Sequence, residues 1–389
     1  MKVLNVINSL SGSGGAEHGL VREITAFDSS AEQMVVSLYG GGTLESRLLS
    51  AGIEHRWLGL QSSRSGRNWP LGVARLRSVI RQFKPDVVHS SLFSGNLVAQ
   101  LATRYASGRS IPILSTMTLS GDLALHRSLQ PGAGSWYAGV LRGVAGWAAR
   151  GAHVWFRALT NDAAVTNCIA LGVDPERVVV IPRGVPSDLV PITPLTRDRL
   201  GLPRRVPIIL NVGRQAAQKG QTYLLAALAE LIRDVPAHLV ILGRRGDATH
   251  DLERAVEAFN LSDHVSIIDY TDQVGDFLAN ADVFAFPSLM EGLGTSVAEA
   301  MVAGVQVVAF DIPPVREITG DGRYADLVPV GDVAEFTLRI KAVLEADEVT
   351  ESRVQEAQAW ARERFDLSRV AHRVRTRLEQ LASGVTDSR

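Results

Sequence analysis

The chain has 389 residues, enough for two domains that each bury a full core, and it carries a formal net charge of −1 with a pI near 6.8. Because the charge is balanced, nucleic acid is not expected to be its main partner. The single cysteine, Cys168, excludes an intramolecular disulfide and favours a reducing compartment such as the cytoplasm.

The N-terminal sequence MKVLNVINSL has one basic residue and is followed at once by glycines. It is therefore expected to form a first strand rather than a signal peptide. No uninterrupted apolar run in the sequence approaches the roughly 20 residues that span a bilayer. These features indicate a soluble or peripheral protein.

The first half of the chain alternates short apolar strands with helices. The first strand, at 3–7, is followed by SGSGGAEHGL, a glycine-rich loop that enters a helix. Its spacing differs from G-x-G-x-x-G, so the loop alone is a weak sign of a ligand. Further strands are predicted at 33–38, 54–58, 87–89, 113–117 and 153–159. Such alternation predicts a parallel sheet with helices on both faces.

Residues 127–150, RSLQPGAGSWYAGVLRGVAGWAAR, combine Trp, Leu and Val with Arg127, Arg142 and Arg150. One interpretation is an amphipathic surface that lies on anionic lipid on the inner membrane face and brings a lipid-linked acceptor to the site. The other is a helix whose apolar face packs on the sheet, and we favour this second interpretation.

A change in composition between Pro182 and Pro207, where prolines are frequent, predicts a linker. The first domain is expected over 1–185, with part of 364–389 packing back on it, and the second over 186–363. In the second domain, strands are predicted at 207–212, 238–242, 265–269, 283–287 and 306–310, with helices at 222–233, 252–259 and 295–302. One long amphipathic helical stretch is predicted over 351–381.

Residues 284–310, FAFPSLMEGLGTSVAEAMVAGVQVVAF, predict a strand, a glycine turn, a helix and a strand. Gly292 and Gly294 let the N–H groups that open the helix face a ligand above the sheet edge, and phosphate is the usual ligand. Glu291 and Glu299 bracket the turn, about two helical turns apart along one side. Because carboxylates would repel a bare diphosphate, the turn predicts a ligand with both phosphate and polyol, such as a nucleotide sugar.

Two cations follow the strand at 207–212 in the loop VGRQAAQKG. Arg214 and Lys219 lie just past the C-terminal end of a strand, where α/β folds bind ligands. The guanidinium fork and the ammonium group both neutralise phosphate oxygens. Taken alone, the pair would be interpreted as solvated surface charges, but the glutamate turn favours phosphate binding.

Together, GGAE, the GR and KG pair, and PSLMEGLGTSVAEAMVAG resemble the retaining glycosyltransferases of family 4 over nearly the whole chain. The resemblance implies the α/β GT-B fold, in which two Rossmann-like domains face each other across a cleft and the C-terminal helix returns to the first domain. It implies a metal-independent hexosyltransferase without a cofactor, which moves a hexose-type sugar from a nucleotide-diphosphate sugar to a glycan or lipid-linked acceptor with retention. The implied setting is polysaccharide or glycoconjugate biosynthesis.

The resemblance also implies roles for single residues of the second domain. Arg214 and Lys219, beside Gly213, would hold the diphosphate, while Glu299 would bind the ribose hydroxyls and Glu291 the hydroxyls of the donor sugar. The residues whose N–H groups would approach the sugar and phosphates are Gly292, Leu293, Gly294 and Thr295. The base is expected near Tyr270 and Thr271.

In the first domain, Gly14 and Gly15 would close on the diphosphate and Glu17 would face the acceptor. No protein nucleophile is implied, because a donor phosphate oxygen would help to take the acceptor proton. The charge that develops on the nucleoside diphosphate would be stabilised by the two cations and the helix N-terminus.

Three departures from the family pattern lie in the first domain. A T-x-H histidine is replaced in STMTLSGD by Thr118, and whether Met117, Thr118 or Asp122 takes over its contact is open. The two histidines of the family segment DVVHSH are reduced to one, His89, in DVVHSS. His89 is either a ligand contact or a core histidine that is hydrogen-bonded to the backbone. IPNGVD has become IPRGVP, with Arg183 in the asparagine position.

These departures leave the substrate open and keep two alternative functions. The first is a nucleotide-sugar epimerase-like or phosphorylase-like enzyme of the same fold, although the cofactor lysine that a phosphorylase would carry is not identified. The second is a non-catalytic partner subunit that binds nucleotide sugar, which is motivated by the lost histidine.

Overall fold

The computed structural model describes residues 1–12, 14–28, 31–61, 68–104, 110–118, 135–345 and 349–384. The chain divides into two compact units. The first unit is Met1–Gly184 with Leu367–Arg389, and the second is Val185–Asp366. Each unit is built around its own parallel sheet.

The sheet of the first unit has the strand order β3-β2-β1-β4-β5-β6-β7, with every pairing parallel. Its strands are β1 (Lys2–Ile7), β2 (Glu32–Ser37), β3 (Glu54–Trp57), β4 (Val87–Ser91), β5 (Ile113–Met117), β6 (Val154–Ala158) and β7 (Val178–Val180). The helices are α1 (Gly15–Thr25), α2 (Glu45–Ser50), α3 (Trp69–Phe83), α4 (Phe93–Thr103), α5 (Ser135–Ala149) and α6 (Asn161–Leu171). Six of these strands were predicted to within two residues at each end, whereas β7 was not predicted.

The sheet of the second unit is also parallel throughout, in the order β10-β9-β8-β11-β12-β13. Its strands are β8 (Ile208–Val212), β9 (His238–Leu242), β10 (Val265–Ile268), β11 (Val283–Phe286), β12 (Val307–Phe310) and β13 (Asp326–Val328). The helices are α7 (Gln221–Leu231), α8 (Thr249–Ala258), α9 (Val274–Ala279), α10 (Thr295–Ala303), α11 (Pro313–Ile318), α12 (Val333–Leu344) and α13 (Val349–Phe365).

Both sheets are buried on two faces, which explains why their central strands are continuous apolar runs. All four residues of β11 are buried, and the rings of Phe284 and Phe286 stack with centroids 6.1 Å apart. In the first unit, β4 is buried over its whole length even though it contains polar residues. Those polar residues must therefore find partners inside the protein.

Each sheet changes its winding direction at one point. In the first unit this point lies between β1 and β4, and in the second between β8 and β11. Ligands of open α/β sheets bind at such points, beyond the carboxyl ends of the strands. The loop with Lys219 follows β8 and the turn with Glu291 follows β11, so both segments meet at the switch point of the second unit.

The predicted C-terminal helical stretch is two helices rather than one. Helix α13 ends at Phe365, and α14 (Leu367–Ser383) begins two residues later. The break is stabilised at Val185, whose N–H donates to the Phe365 carbonyl at 2.7 Å and which forms a β-bridge with Asp366. A pairing 180 residues away in sequence therefore interrupts a stretch that is periodic on its own. Helix α14 packs on the first unit, where Val374 and Leu378 join the core beside Val3.

The proline-rich segment predicted as a linker is bonded to the second unit. The Leu195 N–H donates to Asp276 Oδ1 at 2.7 Å, and the Arg197 guanidinium donates to the carbonyls of Val206 and Asn280 at 2.9 and 3.0 Å. The boundary between the two units, at Gly184 and Val185, falls within the segment predicted as a linker, and the rest of that segment is hydrogen-bonded to helix α9 and to residues beside it.

Candidate functional site

Lys219 and Glu291 form an ion pair at the switch point of the second unit. The Nζ and Oε1 atoms are 2.5 Å apart, and the two side chains are 18% and 10% exposed. The aliphatic stem of Lys219 lies over Gly213, where a Cβ would be 3.5 Å from the lysine Cδ, and its ammonium group lies 5.5 Å from the Phe286 ring centre. The site thus presents a half-buried cation whose direction is fixed by a carboxylate.

The backbone holds these two segments together. The Leu289 N–H donates to the Gln218 carbonyl at 2.8 Å. Gly220 has φ 60° and ψ 20°, and a Cβ at this position would lie 2.0 Å from the Pro287 carbonyl oxygen. Only glycine permits both the left-handed conformation and this close approach. The loop after β8 and the turn after β11 therefore form one rigid piece.

A second set of hydrogen bonds fixes the start of the basic loop. Asn211 donates to the Ala285 carbonyl at 2.8 Å, and Gln221 Nε2 donates to both Asn211 Oδ1 and the Gly213 carbonyl at 3.0 Å. Gln215 Nε2 donates to the Gly243 carbonyl at 2.8 Å. These buried amide side chains were not singled out in the sequence, because an Asn or Gln at a strand end has no local signature.

The predicted turn and helix are observed. Gly294 takes φ 85° and ψ 50° as the N-cap of α10, and no side chain caps the helix. Gly292, Leu293 and Gly294 are buried, while Thr295 is half-buried. The start of α10 thus offers N–H groups that no side-chain cap occupies.

Glu291 lies in the turn and Glu299 on the helix, as predicted, but the two are not separated by two turns of one helix. Helix α10 begins at Thr295, so Glu291 lies in the preceding turn and contacts Lys219 instead. Glu299 lies in the second turn of α10 and is 9% exposed. The turn takes up half of the eight-residue separation, because the helix starts only after Gly294, its N-cap.

Arg244 and Tyr270 form a stacked pair at the same sheet edge, after β9 and β10. The guanidinium carbon lies 4.6 Å from the ring centre, Tyr270 is 41% exposed, and its hydroxyl donates to Asp272 at 2.6 Å. Thr271 Oγ1 accepts from the Gln273 N–H at 3.0 Å. The placement of the base near Tyr270 and Thr271 stays a prediction, and Arg244 was not singled out in the sequence. Arg214, on the neighbouring loop, is exposed.

In the first unit, the two glycines at the start of α1 face open space. Gly14 is the N-cap of α1, without a side-chain cap, and a Cβ at Gly14 or Gly15 would meet nothing within 4 Å. Glu17 is 4% exposed, and its carboxylate accepts hydrogen bonds from the hydroxyls of Ser9 and Ser11. The contact of Glu17 with an acceptor stays a prediction.

His89 is fully buried between two strands. Its Nδ1 lies 3.2 Å from Asn5 Oδ1 and its Nε2 lies 3.1 Å from Thr116 Oγ1. Burial, with a smaller contribution from the Arg157 cation, lowers the pKa of His89 to about 3, so the ring is neutral. Of the two interpretations, this geometry is that of a core histidine, although its partners are side chains rather than backbone.

Thr118 is half-buried just after β5. It lines a cavity of about 50 Å³ together with Phe93, Asn96, Gln100, Thr116 and Met117. Asp122 lies outside the described residues, as does Arg127. The replacement for the family histidine therefore stays open between Met117 and Thr118 among the described positions.

The described residues offer neither a metal centre nor a membrane span. No group of three or more His, Cys, Asp or Glu side chains within the described ranges is arranged to hold a metal ion. None of the described helices combines the length and the apolar character that a membrane crossing requires.

Two family models match the chain in succession. The model described as "Glycosyl transferase 4-like domain" matches residues 14–184, and "Glycosyl transferases group 1" matches residues 193–360. The phosphatidyl-myo-inositol mannosyltransferase of Mycobacterium leprae is 31% identical over 311 residues, which cover 77% of this chain and 74% of that protein. The 2-deoxystreptamine glucosyltransferase of Streptomyces kanamyceticus is 28% identical over 58% of this chain and 60% of that protein.

The crystal structure of HepE from Anabaena in complex with UDP and glucose shares the fold. Its TM-score is 0.80 at 21% identity, and the match covers 98% of this chain and 100% of that chain. The two parallel Rossmann-like sheets described above agree with this architecture. The chain therefore belongs to the group 1 glycosyltransferases of family 4 and has their GT-B fold.

Proposed function

We propose that this glycosyltransferase moves a hexose-type sugar from a nucleotide-diphosphate sugar to a glycan or lipid-linked acceptor, with retention and without a metal ion. The observation that carries the proposal is the Lys219–Glu291 pair, held beside the uncapped start of α10 at the switch point of the second unit. This arrangement provides a cation, a carboxylate and the backbone N–H groups of a helix start for a ligand that carries both phosphate and hydroxyl groups.

The proposed chemistry is stabilisation of the leaving group. As the bond from the sugar to the diphosphate breaks, negative charge grows on the phosphate oxygens. Lys219, Arg214 and the N–H groups from Gly292 to Thr295 would stabilise that charge. Glu291 would orient the Lys219 ammonium group and accept hydrogen bonds from the sugar, and Glu299 would accept them from the ribose. The acceptor proton would pass to a donor phosphate oxygen, so no protein nucleophile takes part.

The nucleobase is proposed to lie near Tyr270 and Thr271. The stacked guanidinium of Arg244 and the partly exposed Tyr270 ring present flat faces after neighbouring strands. Base stacking on such faces is tolerant of base identity. HepE was crystallised with UDP, which makes uridine nucleotides the first to test.

A lipid-linked acceptor would bring the chain to the cytoplasmic face of a membrane. The first relative is named for a phosphatidyl-myo-inositol acceptor. On α5, Leu141, Ala145 and Ala148 are buried in the core, as the favoured interpretation expects, yet Val140 and Trp147 are 52% and 51% exposed. The Arg104 guanidinium stacks on Trp147 at 3.9 Å, so an exposed apolar face carries a cation that suits anionic lipid. Flotation with anionic and neutral vesicles tests this part of the proposal.

A nucleotide-sugar panel tests the donor. The folded chain should gain thermal stability with its own donor, because a ligand that binds only the native state raises the melting temperature. Transfer to an acceptor panel should then release nucleoside diphosphate and give a product whose anomeric configuration, read by NMR, matches that of the donor. Activity should be unchanged in EDTA.

The outcomes separate the proposal from its alternatives. Conversion of the nucleotide sugar alone, without an acceptor, would indicate an epimerase-like enzyme. Binding of a nucleotide sugar without turnover across a broad acceptor panel would indicate the non-catalytic partner subunit.

A further inference from the structure

Arg183 is a buried cation without a full set of partners. It follows β7 at the carboxyl edge of the first unit's sheet and is 2% exposed. Its Nη2 atom is buried and has no hydrogen-bond partner among the described residues. Burying an unpaired guanidinium N–H is costly, so this atom is a candidate for interaction with a ligand.

Glu23, the carboxylate that attracts the Arg183 guanidinium, is already paired with Arg157. Both Glu23 oxygens accept from Arg157, at 2.6 and 2.8 Å, and Arg157 Nε donates to the Ile181 carbonyl at 2.8 Å. His89, beside this group, is neutral. Burial lowers the pKa of Arg183 only to about 10, so its guanidinium stays charged at neutral pH. Arg157 and Arg183 are cations and Glu23 is the carboxylate beside them, so these buried side chains together have a net charge of one positive unit.

That charge lies against one face of α1. Gly15, Gly19 and Glu23 recur every four residues and therefore share a face. A Cβ at Gly19 would lie 2.3 Å from Arg183 Nη1 and 2.9 Å from Cζ, so the guanidinium occupies the space that a side chain would fill. One turn toward the N-terminus, about 6 Å along the axis, the space beside Gly15 is open.

We propose that Arg183 is a positioning residue for anion recognition, whose charge favours a phosphate group bound at the N-terminus of α1, at Gly14 and Gly15. The helix terminus supplies N–H donors. The Arg183 guanidinium, one helical turn further along α1, attracts the anion electrostatically, and the protein interior screens this attraction only weakly. Glu17, the carboxylate in the first turn, points to the opposite side of the helix and is held by Ser9 and Ser11. The family pattern has asparagine at this position, so the cation distinguishes this chain.

The inference rests on the proposed function, since the phosphate group would belong either to the nucleotide diphosphate or to a phosphate-bearing acceptor. Titration calorimetry with UDP and with inorganic pyrophosphate represents the first source, and titration with inorganic phosphate represents the second. The variants are Arg183→Met, which keeps the length of the side chain, Arg183→Asn, which restores the family residue, and Arg183→Lys, which keeps the charge. Arg81→Met removes an exposed arginine of the same unit as the control.

Arg183→Met and Arg183→Asn should weaken binding of the diphosphate probes roughly 10- to 100-fold, the effect of losing an interaction with a charged group. Arg183→Lys and Arg81→Met should stay within about threefold of the wild type, which is below the effect of a single such interaction. The melting temperature of ligand-free Arg183→Met should be equal to or above that of the wild type, because the substitution removes an unpaired buried charge. If the substitutions weaken the binding of inorganic phosphate but not of UDP or pyrophosphate, the bound phosphate group would belong to the acceptor.

Two results would overturn the inference. The first is a lower melting temperature of Arg183→Met with unchanged affinity for all three probes, which would make Arg183 purely structural. The second is an equal loss in Arg183→Lys, which would mean that shape rather than charge matters. A wild-type chain that binds pyrophosphate in an Arg183-dependent way but binds no nucleotide would overturn the proposed function and support the anion site.

Discussion

The carboxyl edges of the two sheets hold different kinds of polar group. In the second unit, Arg214 and Tyr270 are exposed, and buried polar atoms of Gln218 and Ser288 have no partner among the described residues. In the first unit, the buried polar side chains of Glu23 and His89 are bonded within the unit. A polar group already satisfied inside the protein has little to gain from a ligand. The second unit therefore offers several side chains for recognition, whereas the first offers the N-terminus of α1 and Arg183, whose Nη2 atom is also buried without a partner among the described residues.

Breaking the Arg157–Glu23 pair should give the largest effect. Arg157→Met removes both hydrogen bonds to the buried Glu23 carboxylate and the bond to the Ile181 carbonyl, and breaking a buried pair typically costs about 3–5 kcal/mol of folding free energy. The pair is 0% and 1% exposed, so solvent cannot replace the lost partner. Urea unfolding followed by tryptophan fluorescence measures the change.

The matched control is Glu32→Gln, which breaks an ion pair with Lys2 whose side chains are 43% and 58% exposed. Its cost should stay below about 1 kcal/mol. Equal losses of folding free energy in the two variants would mean that the buried Arg157–Glu23 pair stabilises the first unit no more than a surface pair does.

Removing the Lys219 ammonium group should have the next largest effect, and on turnover rather than stability. Lys219→Ala, or Lys219→Met, which keeps the stem over Gly213, should lower kcat roughly 10²- to 10³-fold, about 2.7–4 kcal/mol of transition-state stabilisation. Sugar release from the identified donor measures it. Lys341→Ala removes a surface lysine of the same unit as the control. Near-normal kcat in the Lys219 variants would refute the proposed role.

The parts of the fold that depend on local sequence were predictable. Apolar runs of four to six residues located most strands, and the glycine spacing around Gly294 located the turn and the start of α10. The partners of single side chains were not predictable. Lys219 and Glu291 are 72 positions apart, and Arg157 and Glu23 are 134 apart. Such pairs depend on the order of strands in the sheet, which the alternation of strands and helices does not specify.

The residues assigned from the resemblance also divide into those whose position follows from local sequence and those whose environment depends on packing. Those on the loops after β8 and β11 lie at the switch point of the second unit, because these loops must meet wherever the two strands pair, whereas Tyr270 and Thr271 follow β10 at the end of the sheet. Glu17 and His89, by contrast, turned out to be buried and hydrogen-bonded, which depends on packing around the side chain. Motifs therefore located the edge of the sheet, while burial decided which side chains remain available there.

Glu299→Ala tests whether a buried carboxylate of the second unit serves a ligand. If its carboxylate accepts hydrogen bonds from ribose hydroxyls, nucleotide affinity should fall by about 1.5–3 kcal/mol, roughly 10- to 100-fold. Titration calorimetry with UDP measures the change, and Glu345→Ala, on an exposed position of the same unit, should leave the affinity as it is. Unchanged affinity in a folded Glu299→Ala protein would place Glu299 with the structural groups of the first unit.

The pH dependence of stability should show the smallest effect, and it isolates His89. Its pKa is about 3 in the folded protein, against 6.5 for an unperturbed histidine, so the unfolded chain binds the proton more readily. The folding free energy associated with the neutral His89 ring is therefore fully present above pH 6.5, and it is lost as the pH falls toward 3. Between pH 7 and pH 5.5 the loss from this residue is about 1 kcal/mol. Wild type should therefore lose about that much more stability than His89→Gln over the same interval. An imidazole that titrates near pH 6.5 by NMR would show instead that His89 is open to solvent and free to meet a ligand.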